Sequence, residues 1–89
     1  MTIFGASPEG LRTLASEADE MLSVVTDARA LLTDVVGVIP TIWTGADADA
    51  FVSTVTSAHI PRLQSTMTRL EQASAELRTS ADAQERTSR

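Results

Sequence analysis

A heptad pattern of apolar residues over positions 11–39 limits what this chain can fold into more than any other feature. The apolar side chains recur at alternating spacings of three and four, at Leu11, Leu14, Ala18, Met21, Val25, Ala28, Leu32, Val35 and Ile39. This spacing predicts one long amphipathic α-helix with a coiled-coil seam. No strand-like alternation of apolar and polar residues occurs elsewhere, so we predict an all-α fold.

The apolar stripe of this helix is wider than one seam requires. Ala15, Leu22 and Val36 extend it on one side and Val24, Leu31 and Val38 on the other, with Arg29 and Glu17 as the exceptions. A narrow seam serves one partner helix, whereas a wide stripe suits a helix with two neighbours, as in a four-helix bundle. Because one hairpin supplies one neighbour, we expect the other to come from a second molecule.

Capping residues and prolines set the expected boundaries of the first helix. Ser7-Pro8-Glu9 combines a good N-cap, a proline suited to the first helical position and an acid in the first turn. Pro40 disfavours helix at the residue before it, so helix one should cover about 8–39. A turn at about 40–45 then leads into a second helix, which Thr44 or Gly45 can cap.

The second helix, expected at about 46–80, has a weaker apolar pattern. Ala48, Phe51, Val55 and Ala58 form its first stretch, and Leu63, Leu70 and Leu77 form its second. The step from Val55 to Leu63 is eight residues, so the seam slips by one, and Pro61 lies in the gap. We predict a kink near 57–60 rather than a second loop. Residues 1–89 would then be one antiparallel two-helix hairpin with a flexible tail at about 81–89.

Size and charge indicate how such a hairpin is used. A core of 89 residues seldom stabilises a chain unaided, and the absence of cysteine removes disulfides as a remedy. Oligomerisation is the remaining option, and we expect a dimer. The net charge of −5 argues against nucleic acid as a partner. No apolar run reaches the ~20 residues of a membrane span, and MTIFGASPEG does not resemble a signal peptide.

The sequence offers no constellation typical of an enzyme. His59 is the only histidine, and Asp47 with Asp49 lacks the glycine and third ligand of a calcium loop. The hydroxyl residues show no pattern of an activated nucleophile. We therefore expect no catalytic, cofactor or metal site. Trp43, the only tryptophan, is interpreted as a plug between the helix ends, with a contact to a partner molecule as the alternative.

Trp43 and Gly45, between two helical segments in a chain of this length, resemble the WXG family, the small ESAT-like proteins of type VII secretion. Ala46, Ala50 and Phe51 after the motif add to the resemblance. It implies an antiparallel hairpin that pairs into a four-helix bundle, as a homodimer or a heterodimer. The partner would be another WXG-type hairpin or a larger toxin that carries one, with a secretion ATPase reached through that partner.

The resemblance implies export without a signal peptide, or residence in the cytoplasm before export. The seven cations are all arginine, a coding bias that indicates an actinobacterial source. One feature departs from the family, whose export signal is a tyrosine with an acid four positions on. Here the equivalent positions are Ala81 and Glu85, so the acid is kept and the ring is lost.

The function predicted is therefore that of a secretion substrate, or of a partner that escorts one, acting by helix–helix dimerisation. The interface is predicted to include Leu11, Leu14, Met21, Leu22, Val25, Leu32, Val35, Phe51, Val55, Leu63, Leu70 and Leu77. The alternative is a cytoplasmic helical adaptor or coiled-coil module that is unrelated to secretion.

Overall fold

A computed structural model describes residues 7–87 of the chain. Helix α1 spans Pro8–Ile42, and a second helical arm consists of α2 (Ala46–Thr54), a π-helix (Val55–His59) and α3 (Ile60–Thr87). No strand occurs among the described residues. The prediction of an all-α fold with two helices in a hairpin-like arrangement is confirmed.

The N-terminus of α1 forms as the capping residues predict. Ser7 Oγ accepts a hydrogen bond from the Gly10 backbone N–H at 3.0 Å, and the Ser7 carbonyl accepts one from Leu11 N–H at 2.9 Å. The helix then runs to Ile42 and contains Pro40, so it passes the expected end at 39. A proline removes a single N–H, and the Trp43 N–H still reaches the Ile39 carbonyl at 2.8 Å.

The described residues group into two compact units. The terminal unit comprises residues 7–22 and 68–87, and the turn unit comprises Ser23–Met67. Each unit contains a segment of α1 and a segment of the second arm.

The terminal unit is packed mainly through small side chains. Ala15, Ala18, Ser74 and Ala81 are the buried residues of this unit, between 0% and 8% exposed. Small residues let two helix backbones approach closely, which leaves no large side chain fully enclosed. The two segments run antiparallel, because Arg12 pairs with Asp82 while residue 19 pairs with residue 78.

The turn unit has a core of Ala48 and Val55, which are 2% and 4% exposed. Several larger side chains of the same unit are half-buried. They are Val25, Leu32, Val36 and Ile39 of α1 and Val52, Ile60, Leu63 and Met67 of the second arm.

The packed side of α1 differs from the predicted seam. Its buried and half-buried positions include Leu11, Ala15, Ala18, Leu22, Val25, Arg29, Leu32, Val36 and Ile39. Leu14, Met21 and Val35, predicted for the dimer interface, are instead 50%, 58% and 43% exposed, so the second arm does not cover them. The wide stripe contains two adjacent seams, and the second arm covers the one that has the smaller residues Ala15 and Ala18.

The π-helix explains why the apolar pattern slips by one residue in the second arm. A π-turn holds about one residue more than an α-turn, and Val55–His59 occupies the interval between Val55 and Leu63. The Ile60 N–H bonds to the Val55 carbonyl, five residues back, just before Pro61. The wider turn gives room to the proline ring, which would otherwise clash with the carbonyl four residues earlier. Pro61 is therefore inside the helical arm, as predicted, and no loop interrupts it.

Helix α3 continues to Thr87, beyond the expected end near 80. Ala81, which is fully buried, holds this last stretch against the α1 segment of the terminal unit. Arg12 adds ion pairs to Asp82 and Glu85. The sequence pattern missed this extension because it contains no large apolar side chain. Of the expected tail, residues 88–89 lie outside the described residues.

Candidate binding surface

Gly45 gives the turn its shape. Its φ of 116° and ψ of 178° belong to a region that is almost restricted to glycine, and its carbonyl accepts the Asp49 N–H at 3.0 Å. It is the N-cap of α2 and provides no side-chain hydrogen bond. A Cβ at this position would meet no atom within 4 Å, so the backbone conformation, and not space, requires glycine. Asp47 and Asp49 occupy the first turn of α2, as predicted.

Trp43 contacts Phe51 but is not enclosed. The two ring centroids are 5.9 Å apart and the rings are tilted by 46°. Both side chains are 41% exposed. The interpretation of Trp43 as a plug is therefore only partly right, because the ring packs on one neighbour and leaves much of its surface open. This aromatic pair offers apolar area at the turn.

A row of exposed apolar side chains follows α1 through the turn unit, and we call it the apolar face. It consists of Val24, Ala28, Leu31, Val35, Val38 and Ile42, again spaced by four and three. Apart from half-buried Ala28, these side chains are between 43% and 76% exposed. No helix among the described residues covers this regular heptad row, whose spacing is that of a coiled-coil seam.

The apolar face forms a shallow groove of about 330 Å³ near the end of α1. Leu31, Asp34, Val35, Val38, Ile39 and Ile42 line it. Apart from Asp34, all of these side chains are apolar. The groove can therefore accept apolar side chains from another helix, with one carboxylate at its edge.

The predicted interface residues divide between the packed side and the open side. Val55 is buried, and Leu11, Leu22, Val25, Leu32, Leu63, Leu70 and Leu77 are half-buried within the chain. Leu14, Met21, Val35 and Phe51 are exposed. The predicted set left out Val24, Leu31, Val38 and Ile42. The first three are flanking residues of the apolar stripe, and Ile42 lies one heptad after Val35, so the spacing contains the signal.

The two positions that correspond to the family's export signal make contacts within the terminal unit. Ala81 is fully buried. Glu85 accepts hydrogen bonds from Arg12, at 3.1 Å and 3.4 Å, and Asp82 accepts one at 2.9 Å. These bonds, first to Glu85 and then to Asp82, raise the pKa of Arg12. The structure thus uses both positions for packing and ion pairing within the unit.

A second polar cluster in the terminal unit links Asp19, Ser74 and Arg78. The Ser74 hydroxyl donates to Asp19 Oδ1 at 2.6 Å, and Arg78 donates to Asp19 Oδ2 at 2.8 Å and also to Ser74 Oγ. The hydrogen bond from Arg78, followed by that from Ser74, lowers the pKa of Asp19 below its ordinary value. The cluster favours the ionised carboxylate and binds the two helical segments of this unit together.

Within residues 7–87 no group of three or more histidine, cysteine or acidic side chains is arranged to hold a metal ion. Over the same residues, no helix combines the length and the apolar character needed to cross a bilayer.

Comparisons of the chain with models of known protein families, with curated proteins and with solved structures give no match.

Proposed function

We propose that this chain is a non-enzymatic binding protein of type VII secretion, similar to the WXG proteins, and that it acts by helix–helix pairing. The observation that carries the proposal is the apolar face, on which Val24, Leu31, Val38 and Ile42 are 53–76% exposed. An exposed row of this kind is typical of a helix that docks to a separate molecule. Two further helices on this face would complete a four-helix bundle.

The geometry of the turn adds support. Trp43 packs on Phe51, and Gly45 adopts a conformation that other residues rarely reach. The motif Trp-x-Gly therefore has a physical reason at this place: the tryptophan covers one side of the turn, and the glycine lets the chain reverse into α2. Both features fit a WXG-type hairpin, with another such hairpin or a toxin that carries one as partner.

We further propose that the partner supplies the export signal. Ala81 is buried and Glu85 is paired with Arg12, so neither is presented as an outward anchor for a recognition pocket. Contact with the secretion ATPase would then be made by the partner, and this chain would leave the cell with it or release it beforehand.

The second candidate is a cytoplasmic helical adaptor that pairs through the same apolar face and has no part in secretion. The observation that favours it is the buried alanine at position 81, where an exported family member would present a tyrosine. Both candidates need a partner helix, so the experiment must separate export from pairing.

The test is to follow the full chain, expressed from its own locus, in culture medium and in cells. A strain with an intact type VII system is compared with one that lacks the secretion ATPase, and a cytoplasmic protein reports lysis. We expect the chain in the medium of the first strain only. Retention in the cells of both strains, with an intact partner complex, would favour the adaptor.

A matched pair of variants connects export with pairing. Leu31→Glu places a charge in the apolar face, whereas Thr33→Glu places one on an exposed polar side of the same helix. We expect Leu31→Glu to abolish both the complex and export, and Thr33→Glu to retain both. Equal export of the two variants would show that the apolar face is not the binding surface.

A further inference from the structure

The apolar face has an acidic edge. Asp34 lines the groove together with Leu31 and Val35. Asp27 precedes it by seven residues and so lies on the same side of α1, and both carboxylates are exposed. This pair of aspartates, which we call the acidic rim, borders the face away from the second arm.

No cation offsets this rim within the turn unit's segment of α1. Arg29 is the segment's one basic residue, and it lies half-buried on the packed side of the helix with an enclosed Nε that has no hydrogen-bond partner. The ion pairs of the described residues involve Arg12 and Arg78, which both belong to the terminal unit. The rim therefore presents uncompensated negative charge beside the seam.

A second copy of this chain matches the rim poorly. In an antiparallel pair of α1 helices centred between residues 30 and 31, Asp27 of each copy would face Asp34 of the other along one edge of the seam, which brings like charges together there. Pairing α1 with the second arm of a copy offers little more. Among the described residues of that arm, Phe51 is the one large apolar side chain that is strongly exposed.

We infer that the face binds a different protein, whose helix has an apolar heptad seam bordered by arginine or lysine. Basic side chains at the flanking positions would face Asp27 and Asp34 across the seam, so charge as well as shape would select the partner. This inference rests on the proposed function and extends it, because it decides between a homodimer and a heterodimer and states the chemistry of the partner.

The experiment uses the protein's own fold as the probe. In the double variant Asp27→Arg/Asp34→Arg, the apolar face is unchanged and the rim is basic. Mixed with the unmodified chain, it should form a heterodimer about tenfold tighter than either chain's self-association, since two unlike pairs replace two like pairs along that edge. The preference should shrink as salt is raised from low to high ionic strength. Sedimentation of the separate and mixed chains, compared once their helix contents have been shown to be equal, measures this preference for mixed association.

Two further double variants act as controls. Asp47→Arg/Asp49→Arg makes the same change in net charge in the first turn of α2, away from the groove, and should show a much smaller preference. Asp27→Asn/Asp34→Asn removes the rim's charge without adding cations. It should self-associate more tightly than the unmodified chain, because the repulsion is gone.

Three outcomes would overturn the inference. They are equal self-association and mixed association, no effect of the asparagine variant on self-association, and no association in any mixture. The first two would leave the proposed function standing, with a homodimer as the unit that is exported. If export does not depend on the secretion ATPase, the proposed function is wrong. A charge preference in the mixing experiment would still be a valid property of the apolar face in that case.

Discussion

The terminal unit and the turn unit use the same two helical arms in different ways. Small side chains and two ion-pair clusters hold the terminal unit, in which Leu14 and Met21 are the exposed large apolar residues. The turn unit has no such ion pair among its residues and leaves open the apolar face as well as the rings of Trp43 and Phe51. Polar side chains are thus paired within the terminal unit, whereas most of the exposed apolar surface lies in the turn unit.

The two units therefore differ in what they contribute: exposed apolar area in the turn unit can supply binding free energy, and ion pairs in the terminal unit join its own helical segments. Burial of apolar area provides most of the free energy of association, and the turn unit has this area to offer. The exposed ion pairs of the terminal unit contribute little energy each, and they join its two helical segments at defined positions. Substitutions in the two units should therefore have different consequences.

The largest effect is expected from a bulky side chain in the small-residue core of the terminal unit. Ala81→Tyr restores the ring of the family's export signal, but Ala81 is fully buried. Overpacking of this kind should lower the free energy of unfolding by about 3 kcal/mol. Urea unfolding at fixed protein concentration measures the change. Ala75→Tyr, on an exposed position of α3, is the control and should be nearly neutral.

A smaller loss is expected from cavity formation in the turn unit. Val55 is 4% exposed and Val38 is 53% exposed, and both are valines in helical segments. Val55→Ala should cost about 2 kcal/mol, and Val38→Ala under about 0.5 kcal/mol at low protein concentration. Equal losses would mean that the apolar face is filled under those conditions. A Val38→Ala penalty that grows with protein concentration would identify self-association as the cause.

Substitution of two glycines of the turn unit by alanine should change the free energy of unfolding in opposite directions. Gly45→Ala forces a Cβ into a backbone region that is close to glycine-only, and it should cost about 1.5 kcal/mol. Gly37→Ala lies within α1, where an added Cβ meets no atom within 4 Å, and it should stabilise by about 0.7 kcal/mol. Thermal melts of both variants provide the measurement, and a neutral Gly45→Ala would contradict the strain argument.

Much of the helical architecture could be predicted from single residues with strong local effects. Ser7 caps α1, and Gly45 allows the turn. The eight-residue step around Pro61 indicated a disturbed helix, which the structure resolves as a π-helix. These features depend on the chemistry of a few neighbouring residues, which the sequence displays directly.

The choice of the packed side of α1 could not be predicted in the same way. The stripe contains two adjacent seams, and the apolar pattern alone does not indicate whether the second arm packs on the side of Ala15 or on that of Leu14. The structure chooses the side on which small residues allow close approach, and this depends on Ser74 and Ala81 in the distant arm. For the same reason the extension of α3 to Thr87 was missed, since it depends on a buried alanine and on ion pairs to Arg12.

The smallest effect is expected on acidification, and it should be confined to the terminal unit. Arg78, and then Ser74, lowers the pKa of Asp19 below its ordinary value of 3.8 in the folded chain. A carboxylate with a depressed folded pKa stabilises the fold above its unfolded pKa, and this contribution is lost as the pH falls through the folded value. Stability should therefore be full at neutral pH and decline below about pH 4.

Asp19→Asn isolates this contribution, because an amide keeps the shape of the side chain and does not titrate. The variant should melt below the unmodified chain at pH 7, and the difference should narrow as the pH falls below about 4 and Asp19 becomes protonated. Glu20→Gln is the control, since Glu20 is an exposed acid of the same helix that takes part in none of these ion pairs. The difference will be modest, because Asp19 and Arg78 are 47% and 46% exposed and water and salt screen the pair. Hydrogen exchange should place the acid-sensitive amides in the terminal unit, whereas an acid response centred on the turn unit would contradict the assignment of ion pairing to the terminal unit alone.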